Sequence, residues 1–247
     1  MTRHKKLMFA FLALVALAAT SCAKLQARDN LNKGVRAFRN AEYEGAVDYF
    51  KEAIRLDPEL TNAELYLATA YAQQFIPGAV SEENQKNADM AIATFENVLK
   101  RDSSNVTAIG GLASIYQNTN QFQKAREFYL KNAQLEPSNP TPFYAVGSVD
   151  WIMVFNKNNP PPEEEQKQLI EEGLTNLDKA LAINPDYEDA MTYKNLLYRE
   201  KARLATEEAE KTQLIAQADE WFNKALETRK KNAEKAAGAG GITLGEK

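Results

Sequence analysis

Few residues in this chain have the types and spacing that covalent or acid–base chemistry requires. Among 247 residues there is one cysteine, Cys22, and one histidine, His4. A nucleophile–base pair or a histidine/cysteine metal site needs several such side chains converging, which this inventory does not supply. Carboxylates are plentiful, and they cluster at Glu163–Glu165 and at Glu207-Glu208. An acid–base pair needs two carboxyl groups in different environments, whereas consecutive glutamates share one and read as solvated helix starts. No GxxxxGK[ST] phosphate loop occurs, and the glycines of 238–241 have no strand before them. A net charge of −4 gives no basic footprint for nucleic acid, and a single cysteine gives no disulfide framework. The expectation is a binding protein: no enzyme, no metal, no cofactor and no nucleic-acid partner.

The chain begins with Arg3, His4, Lys5 and Lys6, followed by an uncharged apolar run from Leu7 to Thr20. This reads as a secretory signal over residues 1–21; a membrane span needs about 20 apolar residues. The next residues, Ala19-Thr20-Ser21-Cys22, resemble the bacterial lipobox, although its usual leucine is missing. That resemblance implies a lipidated Cys22 as mature N-terminus, with residues 22–26 as a short tether to the membrane. Ala23 in place of the aspartate that retains some lipoproteins at the inner membrane implies the periplasmic side of the outer membrane. The alternative is an ordinary signal cut nearby, for instance after Ala23, giving a soluble periplasmic adaptor. Either cut removes His4, and loss of Arg3, Lys5 and Lys6 takes the net charge from −4 to −7. A chain that acidic is not held to anionic headgroups by charge.

The rest of the chain, 44% hydrophobic and 26% charged overall, suits a folded domain and not a disordered polymer. It also repeats itself. Residues 33–58 and 112–137 share small residues twelve apart (Gly34 and Ala46; Ala113 and Ala125). An aromatic follows four later (Phe50, Tyr129), and a proline eight beyond that (Pro58, Pro137). This resembles the tetratricopeptide repeat (TPR), a 34-residue pair of antiparallel helices in which small residues mark close helix contact. A generic bundle would also show helical periodicity, but not the recurrent endings Leu56–Pro58, Leu135–Pro137 and Ile183–Pro185.

Laying the frame down predicts five units with second-helix small residues at 46, 91, 125, 173 and 218. The spacings of 45, 34, 48 and 45 place insertions between the first and second helix of units two, four and five. Pro77-Gly78 and Pro160–Pro162 break two of them, while the fifth has neither glycine nor proline and should lengthen its helices. The resemblance implies an all-α fold, a right-handed superhelix (α-solenoid) of about five helix pairs over residues 27–230. Residues 231–247 are expected as a polar helix end and a disordered glycine-rich tail.

In the TPR architecture the concave groove is lined by fixed positions of each first helix. Here they are Arg28, Leu31, Val35 and Phe38; Asn62, Leu65, Thr69 and Ala72; Thr107, Gly110, Ser114 and Gln117; Thr141, Tyr144, Ser148 and Trp151. Such a mixed surface suits an extended segment or amphipathic helix of another protein, although some of these side chains could instead pack against the next helix. Repeat proteins that grip a chaperone's acidic C-terminus carry lysine and asparagine where this chain has Leu31 and Val35, so that function is not expected. Gly110-Gly111 inside a helix marks either close helix approach or room for a partner's backbone.

Overall fold

The structure, a computed structural model, describes residues 3–239, with side chains over 21–235. Among the described residues there are ten α-helices and no strand: α1 (Arg3–Arg39), α2 (Tyr43–Leu56), α3 (Thr61–Gln74), α4 (Glu82–Arg101), α5 (Val106–Asn118), α6 (Phe122–Leu135), α7 (Pro140–Phe155), α8 (Glu163–Ile183), α9 (Glu188–Leu204) and α10 (Glu208–Ala239). Their order is that of five successive helix pairs. Two compact units result, Met1–Thr119 and Asn120–Lys247. The boundary falls between the helices of the third pair.

The recurrent prolines act as stops. Asp57, Glu136 and Asn184 each precede a proline, whose ring disfavours helical backbone at the residue before it. All three adopt extended or near-extended angles, with φ/ψ of −142/90, −122/64 and −127/93. Helices α4, α5 and α7 start on side-chain caps. Asn105 Oδ1 accepts from the Ala108 N–H at 3.1 Å, Ser81 Oγ from Asn84 at 3.1 Å and Asn139 Oδ1 from Thr141 at 3.0 Å, satisfying donors that a helix start leaves unpaired.

In unit 1 the helices pack by fitting aromatic rings onto glycines. A Cβ on Gly34 would lie 2.5 Å from Phe50 Cε1, so only glycine lets α1 approach α2 this closely. Phe50 is fully buried, contributing roughly 1.5–3 kcal/mol, and stacks on Tyr66 of α3 with centroids 5.5 Å apart. Gly111 of α5 is filled in the same way by the Phe95 ring of α4. That decides the earlier choice for this glycine: it serves close helix approach.

Unit 2 has an apolar core of Ile170, Leu174, Leu177 and Leu197 around α7, α8 and α9. Here Gly173 makes room, since a Cβ there would lie 2.8 Å from Leu197 Cδ1 and 3.2 Å from Asp150 Cβ.

The insertions become part loop and part helix. Their second helices run 20, 21 and 32 residues, against 14 for α2 and α6. Residues 22–26, expected as a tether, continue α1 as helix, and Ala27 directly after them is fully buried. The polar end of α10 finds partners on α9 and the turn before it: Thr228 is buried against Met191, Arg229 pairs with Glu188, and Lys231 and Lys235 reach Asp186. The sequence hides these contacts because the partners lie some forty residues earlier. Of the expected disordered tail, residues 240–247 lie outside the described residues, and Gly238 and Ala239 are still helical. Most of the expected signal segment is described only as helix, its side chains lying outside the description.

Candidate functional site

The first helices of unit 1 are neighbours, α1 beside α3 and α3 beside α5. Their groove positions form a face of graded exposure. Arg28, Asn62, Thr107 and Ser114 are exposed, whereas Leu31, Val35, Phe38, Leu65, Thr69, Ala72, Gly110 and Gln117 are half-buried. Phe38 packs edge-on against Tyr43 and Tyr66, at 5.4 and 6.5 Å, so its ring is both wall and surface. The Thr69 hydroxyl donates back to the Leu65 carbonyl at 2.8 Å, leaving mainly its methyl group to offer. The result is an apolar trough rimmed by hydrogen-bonding side chains. It has the composition of a surface that takes an uncharged or amphipathic polypeptide.

Unit 2 departs from this pattern. Thr141 is exposed, but Ser148 is buried and donates to the Ala145 carbonyl at 2.9 Å, so it is not a groove residue. Tyr144 and Trp151 belong to an aromatic ridge across α7 and α9. Tyr144 meets Tyr187 and Tyr193 at 5.0 and 5.6 Å; Trp151 meets Tyr193 at 5.6 Å and stacks on Phe155 at 4.9 Å. Here the packing reading wins for Tyr144, while Trp151 keeps a face on solvent. Burial raises the phenols of Tyr144, Tyr187 and Tyr193 above their ordinary range, so they act as neutral hydroxyls and ring faces. Tyr187, Tyr193 and Phe155 are absent from the sequence-derived face. Phe155 lies four residues after Trp151 on the same side of α7, a spacing that could have revealed it.

Beside that ridge lies an open cleft of about 990 Å³. Trp151 and Phe155 form one side, the start of α6 and the 156–162 insertion the others, with Pro160–Pro162 in the lining. Six amide side chains (Asn120, Gln121, Gln123, Asn156, Asn158 and Asn159) also line it, each carrying both donor and acceptor.

Unit 2 also contains a buried ionic cluster. Asp150 on α7 is fully buried; Arg126 Nε donates to its Oδ1 at 2.5 Å, and the same guanidinium pairs with Glu172 of α8. Burial pushes the Asp150 carboxyl up to about 7 against the pull of Arg126, with Glu172 adding to the rise. Glu172 itself is held below its ordinary value by the Gln168 amide and Arg126. Lys194 is buried as well, paired with Asp178 and lying 3.8 Å from the Trp221 ring centroid. Asp150 and Lys194 are buried, Glu172 and Asp178 reach the surface, and none of the four lines the cleft. The carboxylate run at Glu163 pairs with Lys167 on the surface.

A family model described as tetratricopeptide repeat matches residues 30–60 and 106–139. These are tetratricopeptide repeats. A second model, plant-specific mitochondrial import receptor subunit TOM20, matches residues 160–237. Among solved structures, MamA superimposes with a TM-score of 0.62 at 19% identity, over 81% of this chain and 96% of that one. YrrB, described as a TPR protein with an unusual peptide-binding site, gives 0.56 at 15%, over 81% and 90%. Similar in sequence are human mitochondrial import receptor subunit TOM70, 29% identical over 58% of this chain, and human DnaJ homolog subfamily C member 7, 30% over 47%. The chain spans only 21% and 26% of those two proteins. The TPR fold suggests a protein–protein interaction scaffold, the coarse function expected from the repeat.

Proposed function

We propose that this protein is an exported scaffold of a bacterial cell envelope, anchored through a lipidated Cys22, that holds a segment of another envelope protein against its first-helix face. The observation that carries the binding reading is the trough on α1, α3 and α5, apolar in its floor and hydrogen-bonding at its rim. The peptide-binding site named for YrrB and the import-receptor role named for TOM70 support it. The anchor rests on the Ala19–Cys22 resemblance and on an exposed Cys22 five residues ahead of Ala27, the first buried position among the described side chains. A lipid at Cys22 would then hold α1 close to the outer membrane, facing the periplasm. The second reading is a soluble periplasmic adaptor, released by an ordinary signal cut.

Two experiments separate these ideas. Cys22→Ala should leave an unlipidated precursor and displace the protein from outer-membrane fractions; an unchanged distribution removes the anchor. Asn62→Glu with Ser114→Glu, both far from the core, should abolish co-purification of a partner while leaving the melting temperature unchanged. Undiminished co-purification removes the trough reading.

A further inference from the structure

Two features, each built by an insertion, remain unused by the trough. One is the loop between α3 and α4. Its Ile76 is 64% exposed and its Val80 fully so, two apolar side chains held together at one loop tip. This loop is nonetheless fixed. The buried Asn84 side chain accepts from the Ile76 N–H at 2.7 Å and donates to the Ile76 and Ala79 carbonyls at 2.9 Å each. Gly78, at φ +82°, makes the turn. A loop already rigid gives up little freedom on binding, so its apolar tip is presented ready for use. The other feature is the cleft in unit 2 beside Trp151 and Phe155.

We propose that copies of this chain join head to tail, the loop 75–80 of one seated in the unit-2 cleft of the next. The loop is uncharged from Phe75 to Ser81 and offers branched apolar side chains and a turn's backbone groups. Rings and prolines in the cleft suit the former, and its amides the latter. Charge agrees as well. Glu82 and Glu83 follow the loop directly and are exposed. Lys124 lines the cleft and Lys157 lies 5.4 Å from the Phe155 ring centroid, against a single lining carboxylate, Glu165. A bilayer is the poorer occupant. The α1–α2–α3 order makes α1 and α3 run in parallel, so the loop leaves unit 1 at the end opposite Cys22, about 25 Å along α1.

Such an interface joins two different patches, so it is heterologous and each copy keeps a free loop or a free cleft for a further copy unless a ring closes. The test uses the full-length chain in non-ionic detergent, with sedimentation velocity over a range of concentrations. The unmodified chain should form species that grow beyond dimer as concentration rises. Ile76→Asp/Val80→Asp and, separately, Phe155→Asp should each be monomeric, the first with an unchanged melting temperature because both side chains are exposed, the second with one lowered only by the lost stack on Trp151. Mixing these two variants restores one intact loop and one intact cleft, and should give a dimer that grows no further. A monomeric unmodified chain, self-association that survives either variant, or a mixture that stays monomeric would each overturn the proposal.

Discussion

In unit 1, Phe50 and Phe95 press onto Gly34 and Gly111, and the contacts between helices are rings on bare backbone. In unit 2 the corresponding space at Gly173 is shared between Leu197 and a buried carboxylate, Asp150, tied to Arg126 and Glu172. Both arrangements bring helices close, but they respond differently to perturbation. Ring-on-glycine packing depends on shape alone and is indifferent to pH. An ionic cluster built on a buried carboxyl depends on which proton is present, and its partners become costly once one is removed.

The sharpest way to break the contrast is through shape. Phe50→Ala should cost unit 1 about 3–5 kcal/mol, seen as loss of amide hydrogen-exchange protection in α1–α3. Protection that stays within a few tenths of a kcal/mol would mean the ring is not the keystone of that unit.

The next effect is confined to unit 2. Asp150 has a folded-state value of about 7, above its ordinary 3.8, so the folded chain keeps a proton that the unfolded chain has released. The stability this confers is full below about pH 4 and is lost as pH rises through 7, by at most about 4 kcal/mol. Glu172, lowered, acts in the opposite sense below its ordinary 4.5. Chemical denaturation followed at Trp221 should therefore show unit 2 weakening between pH 4.5 and 7.5. Asp150→Asn should flatten that slope; an equal slope in the variant would assign it to other groups.

A smaller pair of substitutions tests shape inside unit 1. Gly34→Ala meets the Phe50 ring and should cost about 1–3 kcal/mol. Gly45→Ala has nothing within 4 Å and should gain up to about 1 kcal/mol from helix propensity. Thermal melts of the two variants should move in opposite directions.

The comparison also shows what the sequence makes legible. Gly34, Ala46, Phe50 and Pro58 stand at repeat spacing because one helix pair dictates all four, and the family model picks out the same first and third units. Those are the units nearest the 34-residue length. Where insertions stretch the unit, the pattern covers only part of the site. Ser148 occupies a groove position by count, yet α7 turns it inward. Tyr193 of α9 completes the aromatic ridge from a place the frame does not mark. The Arg126–Asp150–Glu172 cluster draws on three helices separated by 24 and 46 residues, and no local period connects them. The rigid loop at Ile76–Val80 is legible as a break, at Pro77-Gly78, but its clamp by Asn84 is a tertiary fact.

The most direct test of the account is site-specific photo-cross-linking in intact cells. A cross-linker at Asn62 or Thr107, on the exposed rim of unit 1's first-helix trough, should capture a discrete polypeptide. The same group at Asp48, exposed on the second helix α2, should not. Capture from Asp48 alone, or from no trough position, would contradict the claim that this face holds another protein.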